Sequence, residues 1–460
     1  MSSSDLGPVP MTRVAVVAPQ ARARDVLVAL ADTGMMEVEE LDGRGDRTEL
    51  VRLDEEVPDG TRPLVAPDPI DLDEARDRGW WDLVAGEAAI ARRRRDMVDH
   101  DPAAVLVGWV ATADLDDLAQ RLAAPGASLV ELPRPRRIVP PTRMPESRLR
   151  TRVRPLVETY AVVPYEDVDP SLFAGITYVL MFGMMFGDVG HGLVLALLAV
   201  LLARSDRPRL ASVRRLWVFP FAAGIVAAGF GFLYGEAFGP TGLVPTLWLS
   251  PLEEPVRLLV VAIGAGAALI AASLVIGSIN RWREGGFASA LYSSTGLAGA
   301  ALFLGAATAA AGVAWQRGVM LAVGASLAGL GLVASFIGFR VAAGSGGAAT
   351  GQAVIELFDT VIRVFANVVS FGRLAAFGLT HAAIGFVVWD ATQGLWRPGW
   401  GAVAAVVVFV VGNVLAFALE GLVVGVQALR LEYYELFSRI FSGEGRLFEP
   451  WHVPVAQERS

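Results

Sequence analysis

The segment VFANVVSFGRLAAFGLTHAAIGFVVW, residues 364–389, is long and apolar enough to cross a membrane, and it holds one charged residue, Arg373. A guanidinium at that depth costs at least ~2.5–3.5 kcal/mol on insertion scales, so it marks a functional position. Residues at spacings of three or four run outward from it: Glu356, Asp359, Arg363, Asn367, Ser370, Arg373, Phe377 and His381. On one continuous helix they form a single stripe, a polar path with Arg373 inside it. Glu356 and Asp359 lie near an end, where facing lipid headgroups is the plain alternative; for His381 the plain alternative is packing.

The next apolar run, 401–439, repeats the theme, with Asn413, Glu420, Gln427 and Tyr434 at heptad spacing and Arg430 on the adjacent edge. Glu420 is itself an intramembrane carboxylate. A structural ion pair between Glu420 and Arg430 stands as the alternative to a functional role.

Working outward, the 460 residues are 54% hydrophobic with a mean hydropathy of +0.49, and the apolar content lies mostly after residue 170. That is the profile of a mainly α polytopic membrane protein with a polar front end. Apolar stretches fall at about 213–235, 256–279, 287–313, 317–340, 352–391 and 401–439. The run 171–203 suits one long helix by length. Yet the loop after it, ARSDRPRLASVRR, holds five arginines, and Arg148, Arg150, Arg152 and Arg154 precede it. Both flanks belong on the cytoplasmic side, so this run is expected to be a hairpin breaking at Gly187-Asp188-Val189-Gly190, which makes eight passes. The loop 236–255, with Glu236, Glu253 and Glu254, is expected outside, and the C-terminus inside.

Residues 1–170 are expected to form a cytoplasmic α/β domain of two small units, followed by the membrane domain 171–460. The first unit reads as strand 12–20, helix 22–33 and strand Met35–Leu41; the second as strand AVLVGWV, helix ADLDDLAQRLAA and strand ASLVEL between Ala104 and Leu132. Between them lies a polar insert, about 54–103, in which only Leu83–Val98 looks helical. Acidic runs contribute to a net charge of -8, no basic stripe with aromatics appears, and nucleic acid is therefore a poor partner. There is no cysteine, so no disulfide or thiol chemistry, and the N-terminus does not read as a signal peptide.

Three motifs together, GITYVLMFGMMFGDVGHG (175–192), VVSFGRLAAFGLTHA (368–382) and LEGLVVGVQALRLEYYELFSRIFSGEGRLFEP (419–450), resemble the a-type stator subunit, called subunit I in prokaryotes, of V/A-type rotary ATPases. The resemblance continues through VAVVAPQARARDVLVALADTGMMEVEE, LVGWV, IVPPTR and YAVVPYEDVDPSLF in the front end. It implies that Arg373 is the essential arginine facing a ring of proteolipid subunits, where it meets each ring carboxylate and separates two half-channels. It further implies proton-path roles for His381, Glu420 and Arg430, with Glu356, Asp359, Asn367, Ser370, Asn413 and Gln427 as candidate half-channel lining. Asp188 and His191 match the family's turn motif and are read as structural. Family members usually carry a much longer soluble arm with a coiled coil, which here shrinks to roughly 54–103.

The implied partners are the proteolipid ring, peripheral- and central-stalk subunits of a rotary ATPase, and the lipid bilayer of the cell membrane. No cofactor, metal or catalytic residue of the chain's own is expected, and no Gly-rich phosphate loop with Lys is present. Two rival readings are a secondary transporter using Arg373 to hold an anionic substrate, and a truncated paralogue serving as scaffold. The transporter would predict two related halves with matching broken helices, which the sequence does not display. If the ring supplies its partner, Arg373 is expected to have no strong permanent partner within this chain.

Overall fold

The structure, a computed structural model, describes residues 7–40, 57–135, 138–145, 150–441 and 443–456. Leu41, Arg148, the arginine side chain at 150 and the first residues of the polar insert lie outside that description. The chain divides into two compact units, Met1–Pro145 with Gly445–Ser460, and Glu146–Glu444.

The first unit contains strands β1 (Met11–Pro19), β2 (Met36–Val38), β3 (Val98–His100), β4 (Ala103–Ala111) and β5 (Ser128–Glu131). Its helices are α1 (Ala23–Thr33), α2 (Leu72–Asp77), α3 (Trp81–Arg95) and α4 (Leu115–Ala123). All pairings are antiparallel, in the order β2-β4-β1-β5 with β3 added on β4. The two α/β cycles are therefore not separate units, since β1 of the first sits between β4 and β5 of the second. Each cycle alone would leave strand edges and an apolar sheet face uncovered, and interleaving them closes both into one split βαβ sheet. Val14, Val16, Leu106 and Val110 share its core with Leu27, Leu30, Leu118 and Leu122.

The C-terminal segment completes this unit. Val455 bridges Val65, Leu447 bridges Thr142, and Trp451 N donates to Met36 O at 2.9 Å. Glu37, buried beneath it, pairs with Arg446 and accepts from Glu449 N at 2.8 Å. Burial raises the Glu37 pKa, and these partners pull it back. In the insert, α2 is a helix the sequence reading missed: it is short, and Asp71 caps it by accepting from Asp73 N and Glu74 N.

The second unit is helical: α5 (Arg150–Glu158), α6 (Ser171–Met185), α7 (Val189–Ala203), α8 (Ala211–Arg214), α9 (Val218–Tyr234), α10 (Pro255–Tyr292), α11 (Leu297–Ala314), α12 (Gly318–Ala342), α13 (Gly347–Ser370), α14 (Gly372–Leu395) and α15 (Trp400–Leu431). Beyond α15 the chain winds as a π-helix over Glu432–Phe437 and ends in α16 (Ser438–Ile440). Among the described residues, four helices are long and apolar enough to cross a membrane, or five if the segments Pro208–Arg214 and Val218–Tyr234, bent by 60°, count as one span. Helix α10 runs on past residue 279 to 292, with a non-helical Gly286, so the next apolar helix begins at 297 rather than 287.

Helices α6 and α7 have 15 residues each, roughly 22 Å, short of a full bilayer core. The chain turns back between them. Gly183 lies against Val226 and Ala227 of α9, and Gly192, beyond the turn, lies against Gly224 and Ala228 at the same level of that helix. A Cβ at Gly192 would sit 2.5 Å from Ala228 N, a backbone approach that only small residues permit between membrane helices.

Candidate functional site

The expected single helix 352–391 is interrupted at Phe371, between α13 and α14. Phe371 is fully buried, and its ring fills a notch at Gly266 of α10, where a Cβ would stand 2.1 Å from Phe371 Cγ. The one-helix stripe is thus corrected to two helix faces meeting at the Arg373 turn. Arg373 Nε donates to Ser370 O at 2.9 Å, and Nη2 donates to Glu435 Oε1 at 2.9 Å. Arg373 therefore has a partner within the chain, against expectation. The Arg373 side chain keeps 26% exposure and Glu435 only 8%.

Glu435 reaches Arg373 because of the π-helix. In an α-helix the heptad would carry Tyr434 inward, but the wider π turn shifts the phase by a residue. Tyr434 is 68% exposed, and Glu432 and Glu435 are buried. Glu432 accepts from Thr177 Oγ1 at 2.7 Å.

Arg373 opens on a cleft of ≈ 600 Å³ lined by Ser370, Val426, Leu429, Arg430, Tyr433, Tyr434 and Glu435. A second, more polar groove of ≈ 710 Å³ shares Tyr434 and Glu435 with it. Its lining includes Glu356, Asp359, Arg363, Asn367, Ser438 and Arg439. Here Asp359 pairs with Arg363 at 2.6 Å, and Glu356 accepts from Gln352 at 2.9 Å. With its amide oriented to suit its neighbours, Asn367 accepts from Arg439 Nη2 at 2.8 Å and donates to Arg363 O at 3.1 Å. Five of the residues read from the sequence, Glu356, Asp359, Asn367, Ser370 and Arg430, thus line one cleft or the other beside Arg373.

His381 and Glu420 are brought together elsewhere. His381 Nδ1 hydrogen-bonds to the Glu420 carboxylate, so Glu420 pairs with His381 and not with Arg430. His381 is eight residues beyond Arg373, roughly 12 Å along the α14 axis. Asp188 and His191, from the turn between α6 and α7, stand beside this pair. Asp188 accepts from His191 N and from Gly239 N, each at 2.8 Å. Glu236, in the loop expected on the outer side, is buried, and its backbone oxygen accepts from Val189 N at 2.9 Å.

Asn413, one turn from Phe409, donates to its carbonyl at 2.9 Å, and Gln427 Oε1 is buried with no hydrogen-bond partner among the described residues. A further cavity of ≈ 500 Å³ lies between α14 and α15, lined by Trp389, Thr392, Gln393, Trp396, Val406 and Phe409. Phe238 links the two places, with its ring 6.1 Å from Phe409 and 5.3 Å from His191.

Sequence reasoning missed Glu435, Arg439 and Glu432, and it gave Asp188 and His191 a structural role only. The signals were present as carboxylates and an arginine inside an apolar run, and as the FGDVGHG turn.

Residues 96–239 match the V-type ATPase 116kDa subunit family. The chain is 26% identical over 364 residues to A-type ATP synthase subunit I of Pyrococcus horikoshii, a match covering 75% of this chain and 53% of that protein. It is 27% identical over 402 residues to subunit I of Archaeoglobus fulgidus, covering 75% and 58%, and 29% identical over 353 residues to that of Aeropyrum pernix, covering 65% and 49%. The chain spans about half the length of the curated relatives it matches. The resemblance carried by the three motifs is borne out: the chain is a homologue of A-type ATP synthase subunit I over about 75% of its length, with the V-type ATPase 116kDa subunit family match in residues 96–239.

Proposed function

We propose that this chain is the ion-translocating stator subunit of a V/A-type ATPase or ATP synthase, working against a proteolipid ring with Arg373 as the ring-facing charge. The observation that carries the reading is the position of Arg373. It lies at a helix break, opens on one polar cleft, and stands roughly 12 Å along its helix from the separate buried His381–Glu420 pair.

A fixed cation between two polar regions is what two half-channels need. It lowers the pKa of a carboxylate that approaches it and bars direct proton passage from one region to the other. Glu435 adds a condition. The arriving ring carboxylate competes with Glu435 for the guanidinium, so Arg373 exchanges one carboxylate for another and is never left as a bare buried charge. The groove of Glu356, Asp359 and Asn367 serves as one half-channel, and His381, Glu420 and Asn413 serve the other. Arg430 and Gln427 belong to α15, the helix that faces the ring in this reading.

In this reading the helical unit crosses the membrane eight times, with α6 and α7 as a short hairpin and α13–α14 as the seventh pass. The α/β unit and the C-terminus are cytoplasmic, and the partners are the ring and the peripheral- and central-stalk subunits.

The test uses the absence of cysteine from the chain. Val426→Cys, at the cleft, is paired with a cysteine placed beside the carboxylate of the ring subunit, and the assembled complex is oxidised. A disulfide-linked product supports the reading. Its absence, with a linked product from a cysteine on the far face of the unit, contradicts it.

A further inference from the structure

The group Asp188, His191 and His381 is not exhausted by that reading, which uses only His381 with Glu420. Each of the three offers one ligand atom, and these atoms all lie within 4.8 Å of one another. The residues are 0%, 2% and 4% exposed. His191 Nδ1 stands 3.7 Å from Asp188 Oδ1, beyond hydrogen-bond reach, and neither His191 ring nitrogen completes a hydrogen bond among the described residues. The Asn413 backbone carbonyl stands beside the ring as an acceptor short of good hydrogen-bond geometry, and it can serve one ring nitrogen only, which leaves the other without a partner. A buried polar group left unsatisfied is costly, so an imidazole in this state points to a ligand.

The surroundings are those of a prepared site. Asp188 is fixed by two backbone donors, His191 N and Gly239 N. Glu420 engages His381 Nδ1 and leaves Nε2 as the free donor, the carboxylate–histidine arrangement that orients metal ligands from behind. Phe186, Phe238 and Phe417 stand around the His191 ring with centroids at 5.8, 5.3 and 5.9 Å and keep the site apolar outside its donors.

We propose that Asp188, His191 and His381 form a binding site for a divalent transition metal, with Zn²⁺ as the best-matched ion. Two imidazoles and a carboxylate are a zinc donor set with the fourth position open, and imidazole donors disfavour Mg²⁺ and Ca²⁺. Around a tetrahedral zinc, ligand atoms stand about 3.3 Å apart, given bonds of ~2.0–2.1 Å. The three ligand atoms, all within 4.8 Å of one another, would close by at most about 1.5 Å to reach that spacing. An ion held there would pin His381 and Glu420 together, and that consequence rests on the proposed function. The binding itself does not.

The test is Co²⁺ titration of the full chain, purified in detergent and followed by visible absorption, with Zn²⁺ displacement. One Co²⁺ per chain with tetrahedral d–d bands, displaced by Zn²⁺, is the expected result. His191→Gln and Asp188→Asn should each weaken binding by at least tenfold, and His452→Gln should leave it unchanged. Asn at 188 retains an oxygen for the helix cap, and His191→Gln leaves that cap untouched, so folding is checked by circular dichroism on both. Absent Co²⁺ bands in the wild type, or equal affinity in folded His191→Gln, overturns the proposal.

Discussion

The guanidinium of Arg373 and the carboxylate of Glu435 are held 2.9 Å apart by two irregularities of the backbone, the break at Phe371 and the π-helix at 432–437. Each irregularity turns one member of the pair into the cleft. A charge too costly for lipid is thereby stored as an ion pair with one side open.

Replacing Glu435 with Gln removes the competitor for the guanidinium. Arg373 is a quarter exposed, so the stability cost should be about 1–2 kcal/mol, below that of breaking a fully buried pair. A ring carboxylate would then leave Arg373 more slowly. Ion translocation by the reconstituted complex should fall several-fold without vanishing, and an unchanged rate would remove Glu435 from the mechanism.

Gly266→Ala should displace Phe371, whose Cγ and Cβ lie 2.1 and 2.4 Å from the added carbon. The expected cost is about 1–3 kcal/mol, read as a lowered thermal midpoint in detergent, together with reduced translocation because the Arg373 turn moves. Combining it with Phe371→Ala should recover part of both losses. No recovery would mean that the notch does not position the break.

Asp167 lies outside the membrane-spanning segments, ahead of α6, and is fully buried. Its pKa is pushed from 3.8 up to about 8, first by burial and then by the Glu284 carboxyl, against the opposing effect of Arg281. The folded protein therefore holds a proton that the unfolded chain has released, and stability falls as pH rises from about 4 through about 8. Asp167→Asn should flatten the thermal midpoint across that window and raise it at the alkaline end. A wild-type midpoint that rises over the same range would contradict the assignment.

Much of the front end was legible, because strand alternation and helix periodicity are local. The elements starting at Met11, Ala23 and Ala103 fall where the pattern puts them. The sheet order was not legible, since which edges pair depends on covering both cycles at once. In the membrane, Arg373 announced itself by its solvation cost. The stripe through it misled beyond Ser370 because Phe371 keeps right-handed helical angles, φ -72° and ψ -11°, and three-to-four spacing runs across the break without a signal. Glu435 was invisible for a related reason. Heptad counting assumes a constant turn, and one π segment moves Tyr434 out and Glu435 in. The surroundings of His191 were not legible because its neighbours come from four places in the chain, the α6–α7 turn, the segment after α9, α14 and α15.

The central claim is that Arg373 is the ring-facing charge of an ion-translocating stator. It is tested most directly by ATP-driven ion uptake into vesicles carrying the reconstituted complex, comparing wild type with Arg373→Ala. Uptake in the variant should fall to background while the complex remains assembled. Undiminished uptake by an assembled Arg373→Ala complex would contradict the account.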